Sequence, residues 1–377
     1  MIDLQKYLTC LTDSGVQFIS GVPDTLLNDL CLAIESDWPK DKHVLAANEG
    51  NAIALAAGYQ MATGTVPIAY MQNSGLGNAT NPLISLTDHT VYAIPMVMLI
   101  GWRGDPGSSD WPQHTRQGEL TPEFLDALKI PYRILEGDAE NAIEDTEWAI
   151  QTAAATGHPT ALLAKKGVFE KGEKARFTPA DSEYTLSREE AMAAVLDCAP
   201  KDAICVATTG RATRELHELR NVRGEGHSND FLNVGAMGHT SSIAAGIASA
   251  HPERTVICFD GDAASLMHMG CFAINASLNL PNFLHIVLNN GVHESVGGQT
   301  SVGHKADYTG IARAAGYKTG PAAVTNEADL QAAVTERLAQ GGPAFIDMRI
   351  RKGMRTDLPK LIITPVEVKN QLMSELG

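Results

Sequence analysis

The chain has 377 residues, of which 44% are hydrophobic and 19% are charged. This length and composition predict two domains with packed cores and exclude a disordered or fibrous protein. The formal net charge of −15 argues against partners such as nucleic acid or anionic membranes, so an anionic substrate would need a local basic cluster.

No apolar run approaches the roughly 18 to 20 residues that a membrane span requires, and the N-terminus lacks the layout of a signal peptide. We therefore expect a soluble cytoplasmic protein. The cysteines form no C-x-x-C pair and fall in apolar stretches, so we expect buried, inert thiols. They are Cys10, Cys31, Cys198, Cys205, Cys258 and Cys271.

Short apolar runs alternate with longer amphipathic stretches, which predicts an α/β fold with two doubly wound parallel-sheet domains. The first half has predicted strands at 16–20, 43–47, 66–71, 95–101 and 160–166, and the second half at 203–208, 230–234, 255–261, 282–290 and 344–350. Between them, the charged segment 167–185 contains Gly and Pro and predicts a linker. The predicted domains are therefore 1–170 and 187–377, joined by a linker at 171–186.

The two halves are related by an offset of 188 residues, which superposes Glu49 on Met237 and Ser74 on Asp262. In each half a polar loop opens a small-residue helix, and a strand then leads to a Gly-containing turn. This pattern favours an internal repeat, although features shared by all doubly wound domains explain it equally well.

The sharpest motif is Asp260-Gly261-Asp262-Ala263, followed by Asn289-Asn290 at the end of the next predicted strand. Both ends fall at the carboxyl edge of a sheet, where α/β proteins bind ligands. Asp262 opens a helix, so its carboxylate and the amides behind it suit Mg²⁺ and a phosphate together. Taken singly, these residues are more often an N-cap and an Asn-Gly turn.

This pairing resembles the thiamine diphosphate (ThDP) enzymes, whose motif is G-D-G, about 25 residues, then N-N. The resemblance implies that Asp262, Asn290 and the carbonyl of Val292 bind Mg²⁺, with the last two positions open by one residue. Ala263 and Ala264 would contact the diphosphate through the start of the helix. Ala263 replaces the third motif residue, Gly.

The resemblance also implies a pyrimidine site. Glu49 would face N1′ of the aminopyrimidine, Met237 would wedge between the two cofactor rings, and the Gly235 carbonyl would accept from the 4′-amino group. Glu49 is expected to share the N1′ proton and so promote deprotonation of thiazolium C2. Further implied cofactor contacts are Ser74, Asn78, Thr209, Gly210 and Arg211.

Most decarboxylases and carboligases of this class carry a third, middle domain, for which this chain has no room. Its short form, with the runs GVPDTLLNDL, MLIGWRGDPGSSDWPQHTRQGE and NNGVHESVGGQTSVG, resembles the phosphonopyruvate decarboxylase family. Trp111 departs from that family, which commonly has an acidic residue there. The resemblance implies conversion of 3-phosphonopyruvate to phosphonoacetaldehyde and CO₂ in phosphonate biosynthesis.

Arg103, His114 and Arg116 fall in a predicted loop after the fourth strand and form the required basic cluster. We predict that Arg103 binds the phosphonate and that His114 is a proton donor or contacts the carboxylate. The alternative is a solvated surface loop.

A Gly-rich run after Asn290 is interpreted as a lid, with the polar residues His293, Glu294, Ser295, Gln299, His304 and Lys305. His89 and Trp102 are interpreted as packing residues.

Two other functions stay open at this point. One is sulfopyruvate decarboxylation, although the halves of that enzyme are often separate chains. The other is a non-catalytic nucleotide- or NAD-binding module, although the Gly-containing run at 75–80 lacks the third Gly of a dinucleotide fingerprint. Because Glu49 and Asp262 lie in different domains, the ThDP resemblance implies a homodimer at minimum, with active sites between subunits.

Overall fold

The computed structural model describes residues 1–172, 182–353 and 355–377. The chain divides into two units, Met1–Ala175 with Val296–Gln299, and Arg176–Ser295 with Thr300–Gly377. Residues 173–181 of the predicted linker lie outside the described residues. The boundaries 1–170, 171–186 and 187–377 therefore stay predictions.

The first unit contains a parallel six-stranded sheet in the order β2-β1-β3-β4-β6-β5. Its strands are β1 Ile19–Gly21, β2 His43–Leu45, β3 Ile68–Gln72, β4 Val97–Gly101, β5 Tyr132–Leu135 and β6 Thr160–Ala164. Its helices are α1 Leu4–Asp13, α2 Asn28–Asp37, α3 Glu49–Thr63, α4 Leu76–Pro82, α5 Pro112–Ala127 and α6 Ala139–Thr156.

The second unit contains another parallel six-stranded sheet, in the order β11-β12-β10-β9-β7-β8. Its strands are β7 Ile204–Ala207, β8 Asp230–Leu232, β9 Val256–Gly261, β10 Phe283–Asn289, β11 Lys318–Thr319 and β12 Ala344–Arg349. Its helices are α7 Arg188–Cys198, α8 Arg211–Arg223, α9 Thr240–Ala250, α10 Asp262–Met267, α11 Cys271–Ser277, α12 Tyr308–Ala315, α13 Glu327–Gln340 and α14 Pro365–Leu376.

The two sheets have the same topology. When the strands are renumbered within each unit and the second sheet is read from its other edge, both orders become 2-1-3-4-6-5. The offset of 188 residues also carries Ile68, which starts β3, onto Val256, which starts β9. This agreement of topology and register favours an internal repeat over chance similarity.

Both faces of each central strand are buried. In β4, Val97 and Leu99 belong to one hydrophobic cluster, whereas Met98 and Ile100 belong to the cluster on the opposite face. Strands buried on both faces are continuous apolar runs in sequence, which is why the central strands were predictable. The two strands absent from the prediction, β5 and β11, are short edge strands with partly exposed residues.

The cysteines are free thiols, and four of them are buried, in agreement with the prediction. Cys198 and Cys271 are only partly buried, since each lies on a helix at the margin of the core, so the expectation of complete burial is wrong for these two. No helix within the described ranges is both long and apolar enough to cross a membrane.

In each unit, the candidate site residues follow strands at the carboxyl edge of its sheet. In the first unit the residues that follow β1, β3 and β4 include Asp24, Ser74 and Arg103. In the second unit Asp262 and Asn290 follow β9 and β10. Each sheet reverses its strand order between its first and third strands, which is the position where open α/β sheets form a ligand-binding crevice.

Candidate active site

Glu49 is a buried carboxylate at the carboxyl edge of the first sheet. It is 5% exposed and is the first residue of α3. Asn48 caps the N-terminus of this helix, because its side chain accepts a hydrogen bond from the Asn51 amide at 2.9 Å. Asn78 Nδ2 donates to Glu49 Oε2 at 2.7 Å. A side chain at Gly75 would overlap the Glu49 carboxylate, so only glycine fits there. One carboxylate oxygen is thus fixed by Asn78, and the group is held in one orientation.

Ser74 lies in the turn that follows β3, one residue before Gly75. Its hydroxyl accepts from Gln72 Nε2 at 2.6 Å, and the side chain is half-buried. The structure therefore brings the predicted residues Glu49, Ser74 and Asn78 to the same sheet edge.

Arg103 is held by Asp110. Its Nε and Nη2 donate to the two Asp110 carboxylate oxygens at 2.6 and 2.5 Å, a bidentate pair. Burial alone would raise the Asp110 pKa, but the Arg103 hydrogen bonds and charge outweigh it and lower that pKa to about 2. The main chain of Arg103 is fixed as well, because Asn73 Nδ2 donates to its carbonyl at 2.9 Å. The sequence predicts that Arg103 binds the phosphonate, but in the structure its positive charge is already compensated by Asp110.

His114 is half-buried on the first turn of α5. Burial, reinforced by the positive charge of Arg103, lowers the His114 pKa to about 4, against an opposing effect of Asp110. The imidazole is consequently neutral near pH 7. A neutral imidazole suits a hydrogen-bonding role better than that of a stored acid.

The prediction that the basic cluster lies in a loop is wrong for His114 and Arg116, which belong to α5. Pro112 opens this helix, a position where its missing N–H and fixed φ are favourable. Arg116 has a side chain that is 76% exposed and pairs with Glu119 at 2.9 Å. It does not converge with Arg103, because it points from the helix into solvent.

Trp102 packs as predicted: it is 6% exposed and its Nε1 donates to the Gly118 carbonyl at 2.9 Å. His89 packs only in part: its side chain is 51% exposed beside Asp88, and its ring lies edge-on to His158 with centroids 5.0 Å apart.

Asp24 is a candidate site residue that the sequence analysis missed. It is fully buried just after β1, accepts from the Leu26 amide at 2.7 Å and leaves its Oδ1 without a hydrogen-bond partner. Burial raises its pKa to about 6, although backbone amides and the charge of Arg103 oppose the shift. The available signal was an Asp in a Pro-containing turn directly after a predicted strand.

In the second unit, Asp262 is 3% exposed at the start of α10. Its carboxylate accepts from the Ser301 hydroxyl, and the Tyr308 hydroxyl donates to its carbonyl at 2.7 Å. Burial raises the Asp262 pKa to about 6, and nearby Asp347 adds to the shift. Ala263 and Ala264 follow on the same short helix. A desolvated carboxylate of this kind is stabilised by a cation.

The two asparagines after β10 differ in their partners. Asn290 is 4% exposed, and its Oδ1 accepts from the Val292 amide at 3.2 Å. Asn289 is fully buried, and its Oδ1 has no hydrogen-bond partner. A side chain at Gly303 would overlap both the Asp262 carboxylate and that Asn289 oxygen. Asn289 and Asn290 are therefore both candidate metal ligands. The sequence motif also left this position open by one residue.

The predicted lid is divided between the units: residues up to Ser295 and from Thr300 belong to the second, and Val296–Gln299 to the first. Glu294 forms an ion pair with Arg188 and accepts from Asn290 Nδ2 at 3.3 Å. His304 Nε2 lies 3.3 Å from the carbonyl of Asn289. Gln299 Nε2 donates to Asn28 Oδ1 at 3.4 Å, and the Lys305 amide donates to the Val302 carbonyl at 2.8 Å. Movement of this segment stays a prediction.

The other predicted cofactor contacts include or adjoin residues with positive φ. Ala236, between Gly235 and Met237, has φ of 46°, an uncommon conformation for a non-glycine residue that often marks functional loops. Gly210, after Thr209, has φ of 101° and precedes α8.

Arg211 opens α8, and its buried Nε has no hydrogen-bond partner among the described residues. Burial lowers its pKa, and the neighbouring Arg214 contributes in the same direction. This guanidinium is thus available to an anion.

The donor set fits a diphosphate held by a hard divalent cation. A buried carboxylate, Asp262, and amide oxygens of Asn289 or Asn290 are the oxygen ligands that Mg²⁺ prefers, and phosphate oxygens can complete its shell. The unpaired Nε of Arg211 supplies a donor to an anion in the same unit. In the first unit, Asn78 orients the Glu49 carboxylate, a group that can share a proton with a heterocyclic nitrogen.

Comparison with known proteins agrees with this chemistry. The N-terminal TPP binding domain of thiamine pyrophosphate enzymes matches residues 5–129, and their C-terminal TPP binding domain matches residues 208–348. This match sets aside the alternative of an NAD-binding module.

Three relatives match nearly the whole chain. A phosphonopyruvate decarboxylase from Streptomyces viridochromogenes is 34% identical over 98% of this chain and 93% of that protein, and one from Streptomyces hygroscopicus is 33% identical over 98% and 92%. A sulfopyruvate decarboxylase from Methanosarcina acetivorans is 26% identical over 99% of this chain and 97% of that protein, so a fused chain does not by itself separate the two activities. The chain belongs to the thiamine diphosphate enzymes and, within them, to the phosphonopyruvate decarboxylase family.

Proposed function

We propose that the protein decarboxylates 3-phosphonopyruvate to phosphonoacetaldehyde and CO₂. The observation that carries this proposal is the 34% identity to a phosphonopyruvate decarboxylase over 98% of the chain. In the reaction the C1–C2 bond breaks, CO₂ leaves and a proton takes its place on C2. Bound ThDP supplies the electron sink that accepts the pair left by CO₂.

Glu49 holds the pyrimidine end of the cofactor in this proposal. Asn78 occupies one of its carboxylate oxygens at 2.7 Å, which leaves the other to share a proton with a ring nitrogen. Met237 would contact the rings of the cofactor, and the Gly235 carbonyl would accept from its amino group. Ser74 lies at the end of β3, on the same edge as Glu49.

Asp262 would hold the Mg²⁺ that binds the diphosphate end of the cofactor. The proposed ligands are its carboxylate, the side-chain oxygen of Asn290 or Asn289, and the carbonyl of Val292. Direct diphosphate contacts come from the starts of α8 and α10, namely Thr209, Gly210, Arg211, Ala263 and Ala264.

The substrate site is proposed at the carboxyl edge of the first sheet. The Arg103 guanidinium would bind the phosphonate by exchanging Asp110 or by using its remaining N–H groups. His114, neutral because its pKa is about 4, would donate a hydrogen bond to the substrate carboxylate or relay a proton. Asp24, with a pKa of about 6, is a second group able to hold a proton there.

Sulfopyruvate is the competing substrate, because a sulfopyruvate decarboxylase aligns with 99% of the chain at 26% identity. A sulfonate differs from a phosphonate mainly by one charge. The decisive experiment offers phosphonopyruvate, sulfopyruvate and pyruvate in parallel to the protein with ThDP and Mg²⁺, and identifies the aldehyde by mass spectrometry. Phosphonoacetaldehyde should form at the highest kcat/KM, whereas preferential release of sulfoacetaldehyde would replace this proposal with its rival.

We also propose a homodimer in the cytoplasm, with domain 1–170 binding the pyrimidine and domain 187–377 binding the diphosphate of the same cofactor from different subunits. Glu49→Gln and Asp262→Asn variants, each inactive alone, test this arrangement when they are mixed and allowed to exchange subunits. A hybrid dimer would contain one intact site, so random exchange should restore about a quarter of wild-type activity. Mixtures that stay inactive despite verified exchange would place both residues in one subunit.

A further inference from the structure

A second cluster of metal-binding side chains lies in the first unit, away from the candidate active site. Asp88 and His89 precede β4, and His158 precedes β6. These strands are neighbours and parallel, so the three residues meet at the amino edge of the sheet. Ser74 and Arg103, residues of the candidate active site, follow strands of the same sheet at its opposite edge.

The three side chains already have the spacing of a metal site. His89 Nδ1 lies 3.5 Å from Asp88 Oδ1, and His158 Nδ1 lies 3.8 Å from Asp88 Oδ2. One ligand atom of each residue lies within 4.8 Å of the other two. Ligand atoms about 2.1 Å from a tetrahedral Zn²⁺ are about 3.4 Å apart, so small side-chain rotations would complete the geometry.

The tautomer of His158 is the strongest evidence for a cation. Its Nε2 lies 3.1 Å from the Lys129 carbonyl, which can only accept, so Nε2 carries the proton. The other nitrogen, Nδ1, is buried without a hydrogen-bond partner on a residue that is 6% exposed. In the neutral ring its lone pair faces the Asp88 carboxylate, which is unfavourable unless a cation lies between them. Metal-binding histidines commonly donate their second N–H to a carbonyl in this way.

The carboxylate is also preorganised. Asp88 Oδ1 accepts from the Thr90 amide at 2.8 Å and from the Thr90 hydroxyl at 2.5 Å, and these bonds lower the Asp88 pKa. Burial lowers the His158 pKa, although Asp88 opposes the shift, so this imidazole tends towards the neutral form that binds metals. His89 is half-exposed and provides access for an ion from solvent.

We propose that Asp88, His89 and His158 bind one Zn²⁺, or a similar first-row divalent ion, with water as the fourth ligand. Imidazole and carboxylate ligands in this number suit zinc and cobalt better than magnesium. The ion would tie the segment before β4 to the turn before β6 and so stabilise the first unit. It would not take part in the reaction, because it lies at the amino edge.

The test uses the protein saturated with ThDP and Mg²⁺, so that the diphosphate site is filled. Co²⁺ serves as the spectroscopic probe and Zn²⁺ is titrated by calorimetry. We expect one Co²⁺ per chain with the intense visible absorption of a four-coordinate site, displaced by Zn²⁺. His89→Asn should weaken Zn²⁺ binding at least tenfold, and because this side chain is half-exposed the variant should fold. His158→Gln should weaken it similarly.

Two controls locate the ion. His251→Asn alters a histidine 3.3 Å from Glu253 on the second unit, and should leave Zn²⁺ affinity unchanged. Asp262→Asn should also leave the Zn²⁺ affinity unchanged. Absence of stoichiometric binding in the wild type would overturn the proposal in favour of a protonated His158 paired with Asp88. Unchanged affinity in His89→Asn, or loss of binding in Asp262→Asn, would overturn it as well.

Discussion

Asp262→Asn is expected to stabilise the metal-free protein and to abolish the rise in Tm that ThDP and Mg²⁺ cause. In the absence of a cation, burial raises the Asp262 pKa from its ordinary value of 3.8 to about 6. Because each pKa unit corresponds to about 1.4 kcal/mol, ionisation of this buried group costs about 3 kcal/mol at neutral pH. Asparagine removes the charge and can still accept from Ser301. For a unit of this size the change corresponds to a rise in Tm of roughly 6 to 12 °C.

Because the pKa of Asp262 shifts upward on folding, the stability of the metal-free protein depends on pH. Since the folded-state pKa is the higher one, the native metal-free protein binds the extra proton between about pH 4 and 6, and its stability from this group falls as pH rises through that window. Above pH 6 the contribution is constant. Mg²⁺ with ThDP favours the ionised carboxylate, so the stabilisation that they provide should increase over the same window.

Calorimetric melting in EDTA and in ThDP with Mg²⁺, for wild type and Asp262→Asn at pH 7.5, measures both effects. Asp230→Asn is a matched control: burial also raises the Asp230 pKa to about 6, but Asp230 is paired with Arg220 at 3.0 Å, and the substitution would leave that buried guanidinium without its partner. Asp230→Asn should destabilise the protein by several kcal/mol, but the rise in Tm caused by ThDP and Mg²⁺ should stay unchanged. If Asp262→Asn lowered the metal-free Tm, or gained as much from cofactor as wild type, the assignment of Asp262 as a buried metal ligand would be wrong.

Other substitutions test the remaining parts of the site. Glu49→Gln should bind ThDP yet slow exchange of the cofactor C2 proton by orders of magnitude, as followed by NMR in D₂O; wild-type exchange would remove Glu49 from the mechanism. His114→Ala should lower kcat about 10²-fold or more if the residue transfers a proton, whereas a change confined to KM would assign it to substrate binding. Gly303→Ala should weaken Mg²⁺ binding, because the methyl group would overlap the oxygens around the metal site; unchanged affinity would show that the site lies elsewhere. Of Asn289→Ala and Asn290→Ala, the variant with the larger loss of Mg²⁺ affinity identifies the ligand, and equal small losses would exclude both.

The fold was predictable wherever burial dictates sequence. The central strands are buried on both faces and are therefore continuous apolar runs, as in the 95–101 segment that contains β4. The edge strand β5 alternates exposed and partly buried residues and carries Arg133, so it lacks that signal. Helix α5 was missed because Gly104 and the prolines nearby indicate a loop, whereas Pro112 in fact occupies the first turn of the helix.

Within the site, motif spacing located residues but did not predict their partners. The Asp262 and Asn290 motif identified the sheet edge, yet the roles of Ser301 and Gly303 depend on a loop about 40 residues downstream that folds back over the carboxylate. Likewise, Arg103 was identifiable as a basic residue, but its pairing with Asp110 depends on the path of the intervening loop. Local sequence does not encode such contacts, since they arise from the closure of loops between distant elements.

The shared topology of the two units, together with the proposed roles of Glu49 and Asp262, predicts that neither unit is active alone. The offset that aligns the sheets places Glu49 opposite Met237 and Ser74 opposite Asp262, so equivalent positions carry different chemistry. The first unit retains a carboxylate where a proton must be shared and has no acidic residue at the position equivalent to Asp262. The second has that acidic residue and replaces the glutamate with an apolar side chain. In the proposed site each unit therefore supplies one half of the cofactor-binding chemistry, so a substitution at either Glu49 or Asp262 should abolish activity.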